Sequence, residues 1–298
     1  MAENPDIFDR DTLARIGRLT LRARRVVEGI RSGAHRSPLH GASVEFAEHK
    51  EYTPGDELRH IDWKLFGKSD KYYVKRFEME AQLKATIILD SSKSMDFGDG
   101  KLTKLQFGSY LAATLAYLLI HQNDMAGLVN FDSQIRTYIP PRGSRQHLRL
   151  ILHALSQITP GPATNVPAVC HHLAGTIKSR GMIILISDLL DDTEKIMHAL
   201  RHFQHQKHDV IVFHTLDDSE LELPYQELAN FRELETGTRV AVDPASFRST
   251  YKSRVNEFCS GLREACLKSN IDYNLVRTST PIETVVTNYF QFRSRRAR

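Results

Sequence analysis

Cysteine is scarce in this chain: Cys170, Cys259 and Cys266 are the only three in 298 residues. Three thiols cannot all pair with one another, and their spacing matches no zinc pattern, so a disulfide framework and a structural zinc are excluded and reduced core thiols remain. Long apolar runs are missing too. The longest mostly apolar stretch, Tyr110 to Ile120, is interrupted by Thr114 and flanked by Ser109 and His121, well short of the ~20 residues that a membrane-spanning helix needs. Residues 1–11 are acidic and contain no apolar core, which argues against a secretory signal and sets the expectation of a cytoplasmic protein. Neither G-x-x-x-x-G-K-[ST] nor G-x-S-x-G occurs, so P-loop nucleotide binding and a nucleophile-elbow esterase lack support. The formal net charge of +4 also says little about the body. Arg293, Arg295, Arg296 and Arg298 stand in the last ten residues with no acid among them, and without them basic and acidic residues balance at 36 each. A nucleic-acid-binding body is therefore the weakest functional class for this chain.

What is present is an ordinary globular composition, 41% hydrophobic and 26% charged, with a changing apolar period. Residues 9–30 mix spaced apolar positions with many arginines, as a partly buried amphipathic helix would. Lys71 to Phe77 alternates like a half-buried strand. Short apolar runs then follow at Ala85–Leu89, Ala126–Phe131, Met182–Ile186 and Val210–Phe213. Helical patterns separate them at about Leu102–His121, Arg145–Gln157, Val166–Lys178 and Asp192–Gln206. Such alternation predicts βαβ units, a doubly wound and mostly parallel sheet with helices on both faces. Ile135–Ile139 reads as an antiparallel edge strand, Phe231–Glu235 with Arg239–Val242 as a small hairpin, Phe247–Lys268 as a last helix and Tyr273–Arg277 as a final strand. The expected organisation is an N-terminal segment, 1–80, packed on a main domain, 81–280, with a basic tail at 281–298.

Directly after the first core strand comes Asp90-Ser91-Ser92-Lys93-Ser94-Met95. Ligands of doubly wound sheets bind beyond the carboxyl ends of the strands, where these side chains stand. Asp90, Ser92 and Ser94 are two apart, so in an extended or looped backbone they share one side. One carboxylate and two hydroxyls are hard oxygen donors that suit Mg²⁺ or Mn²⁺ rather than zinc. Ser187-Asp188 ends another buried strand and brings a second carboxylate to that edge, and Thr164 in the loop Gly161-Pro162-Ala163-Thr164-Asn165 adds a hydroxyl. The bland alternative is that these are turn and cap residues. His171-His172 is not expected to hold a metal, because neighbours on a helix do not share a face.

The set Asp90-x-Ser92-x-Ser94, Thr164 and Asp188 resembles the metal-ion-dependent adhesion site of the von Willebrand factor A fold. That resemblance implies that the serines and the threonine hold the ion directly or through water, with one position open to an acidic side chain from a partner. Ser187-Asp188-Leu189 stands where Thr-Asp-Gly is common.

A second series covers more of the chain: Glu45-Phe46, Glu51-Tyr52-Thr53-Pro54-Gly55-Asp56, Arg59-His60-Ile61-Asp62-Trp63-Lys64, Tyr73-Val74-Lys75, Phe77-Glu78 and Glu80. With Asp217, Glu220, Leu223-Pro224, Phe231, Glu235-Thr236-Gly237, Val242-Asp243, Arg248 and Tyr251, it is similar to the bacterial family catalogued as domain of unknown function fifty-eight. Lys50 and Lys68 stand where arginine is usual there. The Asp56, Arg59, Asp62 and Lys64 charges with Ile61 and Trp63 read first as a clasp of the N-terminal segment. The alternative is a partner-binding surface built on Arg59 and Trp63, residue types favoured in interfaces.

Together these readings lead to the expectation of a non-catalytic, Mg²⁺- or Mn²⁺-dependent protein-binding adaptor. The family resemblance implies a MoxR-type AAA+ ATPase or its client as the partner, engaged through an acidic side chain. A metal-dependent hydrolase or phosphatase using the same ion is the alternative.

Overall fold

The computed structural model describes residues 44–53, 61–69, 71–79, 82–100, 102–161, 165–226, 229–232 and 239–296. The helix expected over residues 9–30, and the side chains of Arg59 and Thr164, lie outside them.

Six strands form the central sheet. They are β3 (Lys84–Asp90), β4 (Met125–Phe131), β5 (Ile135–Arg142), β6 (Met182–Ser187), β7 (Asp209–Leu216) and β10 (Asp272–Arg277), in the order β10-β7-β6-β3-β4-β5. All neighbours run parallel except β4 and β5, so Ile135–Arg142 is the antiparallel edge strand that its sequence predicts. The connecting helices are α2 (Lys104–His121), α3 (Arg145–Ser156), α4 (Val166–Thr176), α5 (Thr193–His205), α7 (Pro244–Lys268) and α8 (Ile282–Arg296), with a short α6 (Asp218–Glu222) after β7.

Because successive strand residues point to opposite faces, each buried strand feeds two cores. Ile87, Leu89, Ile184 and Ile186 pack beneath α2, α3 and α8, while Ile88, Ile183, Leu185 and Val212 pack beneath α4, α5 and α7. Burial on both faces explains why these strands read as continuous apolar runs. Helix α2 comes close to the sheet at Gly108, where a Cβ would press on the Leu89 and Ile186 side chains. Its start is set by a capping box in which the Thr103 hydroxyl accepts from the Gln106 N–H and the Gln106 side chain accepts from the Thr103 N–H.

Strand β3 lies in the middle, with β4 on one side and β6 on the other. The chain leaves β3 toward β4, then returns across it to β6. The crevice above β3 and β6 is therefore the topological switch point, where such sheets bind ligands.

Three local differences from expectation appear. Val44–Glu51 (β1) pairs antiparallel with Tyr73–Met79 (β2) in a separate two-stranded sheet. Strand β1 is illegible by period because its register shifts between Phe46 and Glu48, and such a bulge destroys strict alternation. Trp63, read first as an apolar anchor of the clasp and alternatively as part of a partner surface, opens the short helix α1 (Trp63–Ser69) and is 63% exposed, while Ile61 beside it is buried. Residues 282–296 form α8 instead of trailing as a basic tail: Val285, Val286, Tyr289 and Phe290 are buried in the core, and Arg293 contacts Asp209 and the Tyr289 hydroxyl. The arginines mask an apolar stripe at 285, 286, 289 and 290, spaced as one helical face. The hairpin is β8 (Ala229–Arg232) with β9 (Arg239–Val242). Among the described residues no helix is long and apolar enough to cross a membrane.

Candidate metal centre

The segment after β3 is built from alternating assignments. Ser91 turns to the neighbouring strand, its N–H and hydroxyl both donating to the Phe131 carbonyl at 2.7 and 2.9 Å. Ser92 and Ser94 turn the other way, and their hydroxyl oxygens lie 3.1 Å apart. Ser94 sits in a 3₁₀ turn, Lys93–Asp96, rather than in extended backbone, and Met95, fully buried, anchors that turn in the core. The two hydroxyls still meet, because Ser92 caps the turn from outside the helical geometry.

Asp90, fully buried, accepts from the Ser92 N–H at 2.9 Å and from the Ser187 hydroxyl at 2.7 Å. Burial, with the charge of Asp188 beside it, pushes its carboxyl up to about 7 against the pull of those hydrogen bonds. The turn after Ser187 is made without glycine. Leu189 takes a φ of 52° and its N–H donates to the Ser187 hydroxyl at 3.0 Å. A branched residue in the left-handed region stores roughly 1–2 kcal/mol of strain, which the burial of the Leu189 side chain offsets.

Asp188 is also buried, and its partner is a cation that the motif does not announce. The Lys104 ammonium donates to Asp188 Oδ2 at 2.8 Å and to Glu220 Oε1 at 2.6 Å, with the Phe97 ring centroid 5.8 Å away. Burial alone would push that ammonium down, but the Asp188 and Glu220 carboxylates outweigh it and hold its pKa above the ordinary value. Burial raises Glu220 in spite of Lys104. Glu220 is placed by a capping box with Asp217, which in turn accepts from the Thr278 and Ser219 hydroxyls. A chain of fixed charge thus runs from the end of β6 to the ends of β7 and β10. The sequence signal for Lys104 was its place on the stripe 104, 108, 111, 115 of an otherwise apolar helix.

Gly161, the last described residue before Thr164, is fixed at the sheet edge. The Gly161 N–H donates to the Ser91 carbonyl at 2.7 Å, and a Cβ there would collide with the Asp132 carboxylate. Asp132 is fixed by the Arg136 guanidinium at 2.7 Å and the Gln134 N–H at 3.1 Å, which hold its carboxyl below the usual range although burial opposes them. The description resumes at Asn165, whose side chain accepts from the Ala168 N–H to start α4. Asp90, Ser92, Ser94 and Asp188 are thus gathered at one edge, while Thr164 lies outside the described residues.

These residues fit a hard divalent cation. The donors are hydroxyl and carboxylate oxygens, and the charge of Asp188 adds to the cost of ionising Asp90, with Lys104 offsetting part of the Asp188 charge. His214, the imidazole at this edge, is fully buried against Tyr273, its Nδ1 2.7 Å from the hydroxyl. Burial takes it down to about 4 against the pull of Asp188.

The six-stranded, mostly parallel sheet with helices on both faces is that of a von Willebrand factor A-like α/β protein. Within that class the chain belongs to the family described as Protein of unknown function DUF58, whose model matches residues 48–258. It is 26% identical over 245 residues to the Uncharacterized protein Rv1480 of Mycobacterium tuberculosis, covering 80% of this chain and 77% of that one. Among solved structures, it is similar to the conserved hypothetical protein BatB from Bacteroides thetaiotaomicron, with 17% identity, a TM-score of 0.49 and coverage of 71% and 98%. It is also similar to the vWF domain of the type V pili tip protein Mfa5 from Porphyromonas gingivalis, with 13% identity, a TM-score of 0.38 and coverage of 70% and 94%.

Proposed function

We propose that this protein is a non-catalytic cytoplasmic adaptor that binds a partner protein through Mg²⁺ or Mn²⁺ held at the carboxyl edge of β3 and β6. The observation that carries this reading is the meeting of Ser92 and Ser94 beside two buried carboxylates, Asp90 and Asp188. Ser92, Ser94, Thr164 and the two aspartates would hold the ion, which when bound supplies a positive centre for an incoming carboxylate. The protein's own part is to keep that centre positive. Lys104 takes up part of the negative charge of Asp188, and hydrogen bonds from Ser92 and Ser187 orient Asp90. An acidic side chain of the partner would gain a charge-assisted contact there. The family resemblance makes a MoxR-type AAA+ ATPase or its client the candidate partner, and Arg59 and Trp63 a secondary contact surface.

Calorimetry with Mg²⁺ and Mn²⁺, followed by co-purification from the native host with Mg²⁺ or chelator, tests this. The expected result is one ion per chain, a complex lost in chelator, and loss of both in Asp90→Ala and Ser92→Ala. A complex that forms equally in chelator overturns the reading. Metal-dependent turnover of a phosphate ester or peptide, abolished by Asp90→Ala, would place the protein among hydrolases instead.

A further inference from the structure

A cavity of about 920 Å³ opens at the carboxyl ends of β7 and β10, between the start of α2, the short α6 and the turn from β10 into α8. Helix α6 separates it from the metal edge: Glu220 faces Lys104 and Asp188, while Asp218, Ser219 and Glu222 line the cavity. Leu102, Phe107 and Ile282 give it an apolar wall, with Phe107 almost fully buried. The remaining lining carries five carboxylates, Asp99, Asp217, Asp218, Glu222 and Glu283, and among the described residues no Lys or Arg lines it.

Those carboxylates are only partly answered by cations. Arg277 reaches Asp218 and Glu222 at 3.1 and 3.3 Å, and Lys252 reaches Glu222 from α7. Asp217 is held by the Thr278 and Ser219 hydroxyls and Asp99 by the Tyr225 hydroxyl, neutral partners that leave the charge in place. Glu283 is exposed in the first turn of α8, so a helix start that by itself favours an anion already faces a carboxylate. Five acids against two cations keep the cavity negative.

We propose that this cavity docks a basic segment of a partner protein, in which an apolar side chain fills the space against Leu102, Phe107 and Ile282 and flanking Arg or Lys side chains meet the carboxylates. Its volume is that of a ligand pocket rather than a packing defect. Arg and Lys suit its mixed lining, because their stems lie along apolar surface while their charged heads reach acids at the rim. The same charges repel an acidic segment, which gives the site its selectivity. The docking uses no metal ion, so it stands or falls apart from the metal reading.

The test uses the full chain and a fluorescein-labelled hexapeptide of alternating arginine and leucine, with a control peptide that has glutamate for arginine. Fluorescence anisotropy is expected to show saturable binding of the arginine peptide, in chelator as in Mg²⁺, that weakens as salt rises, and no binding of the glutamate peptide. Affinity should fall about threefold to fivefold in Glu283→Gln and about tenfold in Glu283→Lys, the size of losing and then reversing one partly exposed charge contact. Glu194→Lys makes the same charge change on α5, against the other face of the sheet, and should leave affinity unchanged. Gly100→Trp narrows the cavity: a Cβ there meets nothing within 4 Å, so the backbone accepts the indole, and a melting curve checks the fold. That variant should lose about tenfold or more. No saturable binding, equal binding of the two peptides, or equal losses in Glu194→Lys and Glu283→Lys overturns the proposal. Displacement of the peptide by spermidine of equal affinity would mark a site for small organic cations and overturns it as well.

Discussion

The edge above β3 and β6 and the seam between α4 and α5 both gather titratable side chains, yet they differ in burial, chemical type and charge. At the edge, Asp90, Asp188 and Lys104 are buried, and each has hydrogen-bond partners fixed by backbone or cap geometry. At the seam the imidazoles are exposed or half-buried, and their main partners are one another. The difference teaches that a substitution at the edge acts on buried groups with fixed partners, whereas one at the seam acts on groups that solvent already reaches.

The largest expected contrast is in stability. Lys104→Ala leaves Asp188 and Glu220 facing each other without their shared cation, and removing one partner of a buried ion pair costs about 3–5 kcal/mol. His198→Gln touches no core contact and should stay within about 0.5 kcal/mol of wild type. Urea denaturation of both variants measures this, and a Lys104→Ala loss no larger than that of His198→Gln would erase the distinction.

A second, smaller effect comes from packing. Gly161→Ala drives a methyl group into the Asp132 carboxylate, and overpacking of this kind costs about 1–3 kcal/mol. Since the Gly161 N–H is tied to the Ser91 carbonyl beside Ser92, Mg²⁺ affinity should fall with it. Calorimetry with Mg²⁺ on wild type and Gly161→Ala reads this loss.

The two regions should also respond to pH in opposite senses. Asp90 is raised from 3.8 to about 7, so in chelator its contribution is fully present below about pH 4 and is lost as pH rises through about 7. Asp90→Asn should flatten that slope. His171 is lowered from 6.5 by burial and by the charges of His198 and His202, so its contribution is present above pH 6.5 and is lost on acidification. His171→Gln should flatten only the acid limb. Melting temperatures across pH 4 to 8 decide between opposite limbs and a common one.

The smallest effect is expected on α8. Arg293→Ala removes its contacts to Asp209 and Tyr289, which are partly exposed and worth on the order of 1 kcal/mol or less. Chemical denaturation of this variant should show a shift of that size, because the apolar stripe of α8 and not its arginines holds the helix.

Period, caps and spacing were legible in the chain alone. Strand runs such as Met182–Ser187 are apolar throughout because both faces are covered, and helices begin at Thr103, Asn165 and Asp192 because those side chains satisfy free N–H groups. The Asp90-x-Ser92-x-Ser94 string was legible because its members are near in sequence and follow a core strand. Lys104, Glu220 and the His171–His198–His202 group were not, because their partners lie on other elements and local pattern carries no information about which helix faces which. Strand β1 was hidden by its bulge, and α8 by arginines that drew attention from its buried stripe. The order of residues determined the elements and one half of the oxygen site. Only the return of the chain across β3 brought Asp188 to Asp90, Lys104 to Glu220 and α4 to α5, because such contacts depend on sheet order, which is set by the packing of the whole core.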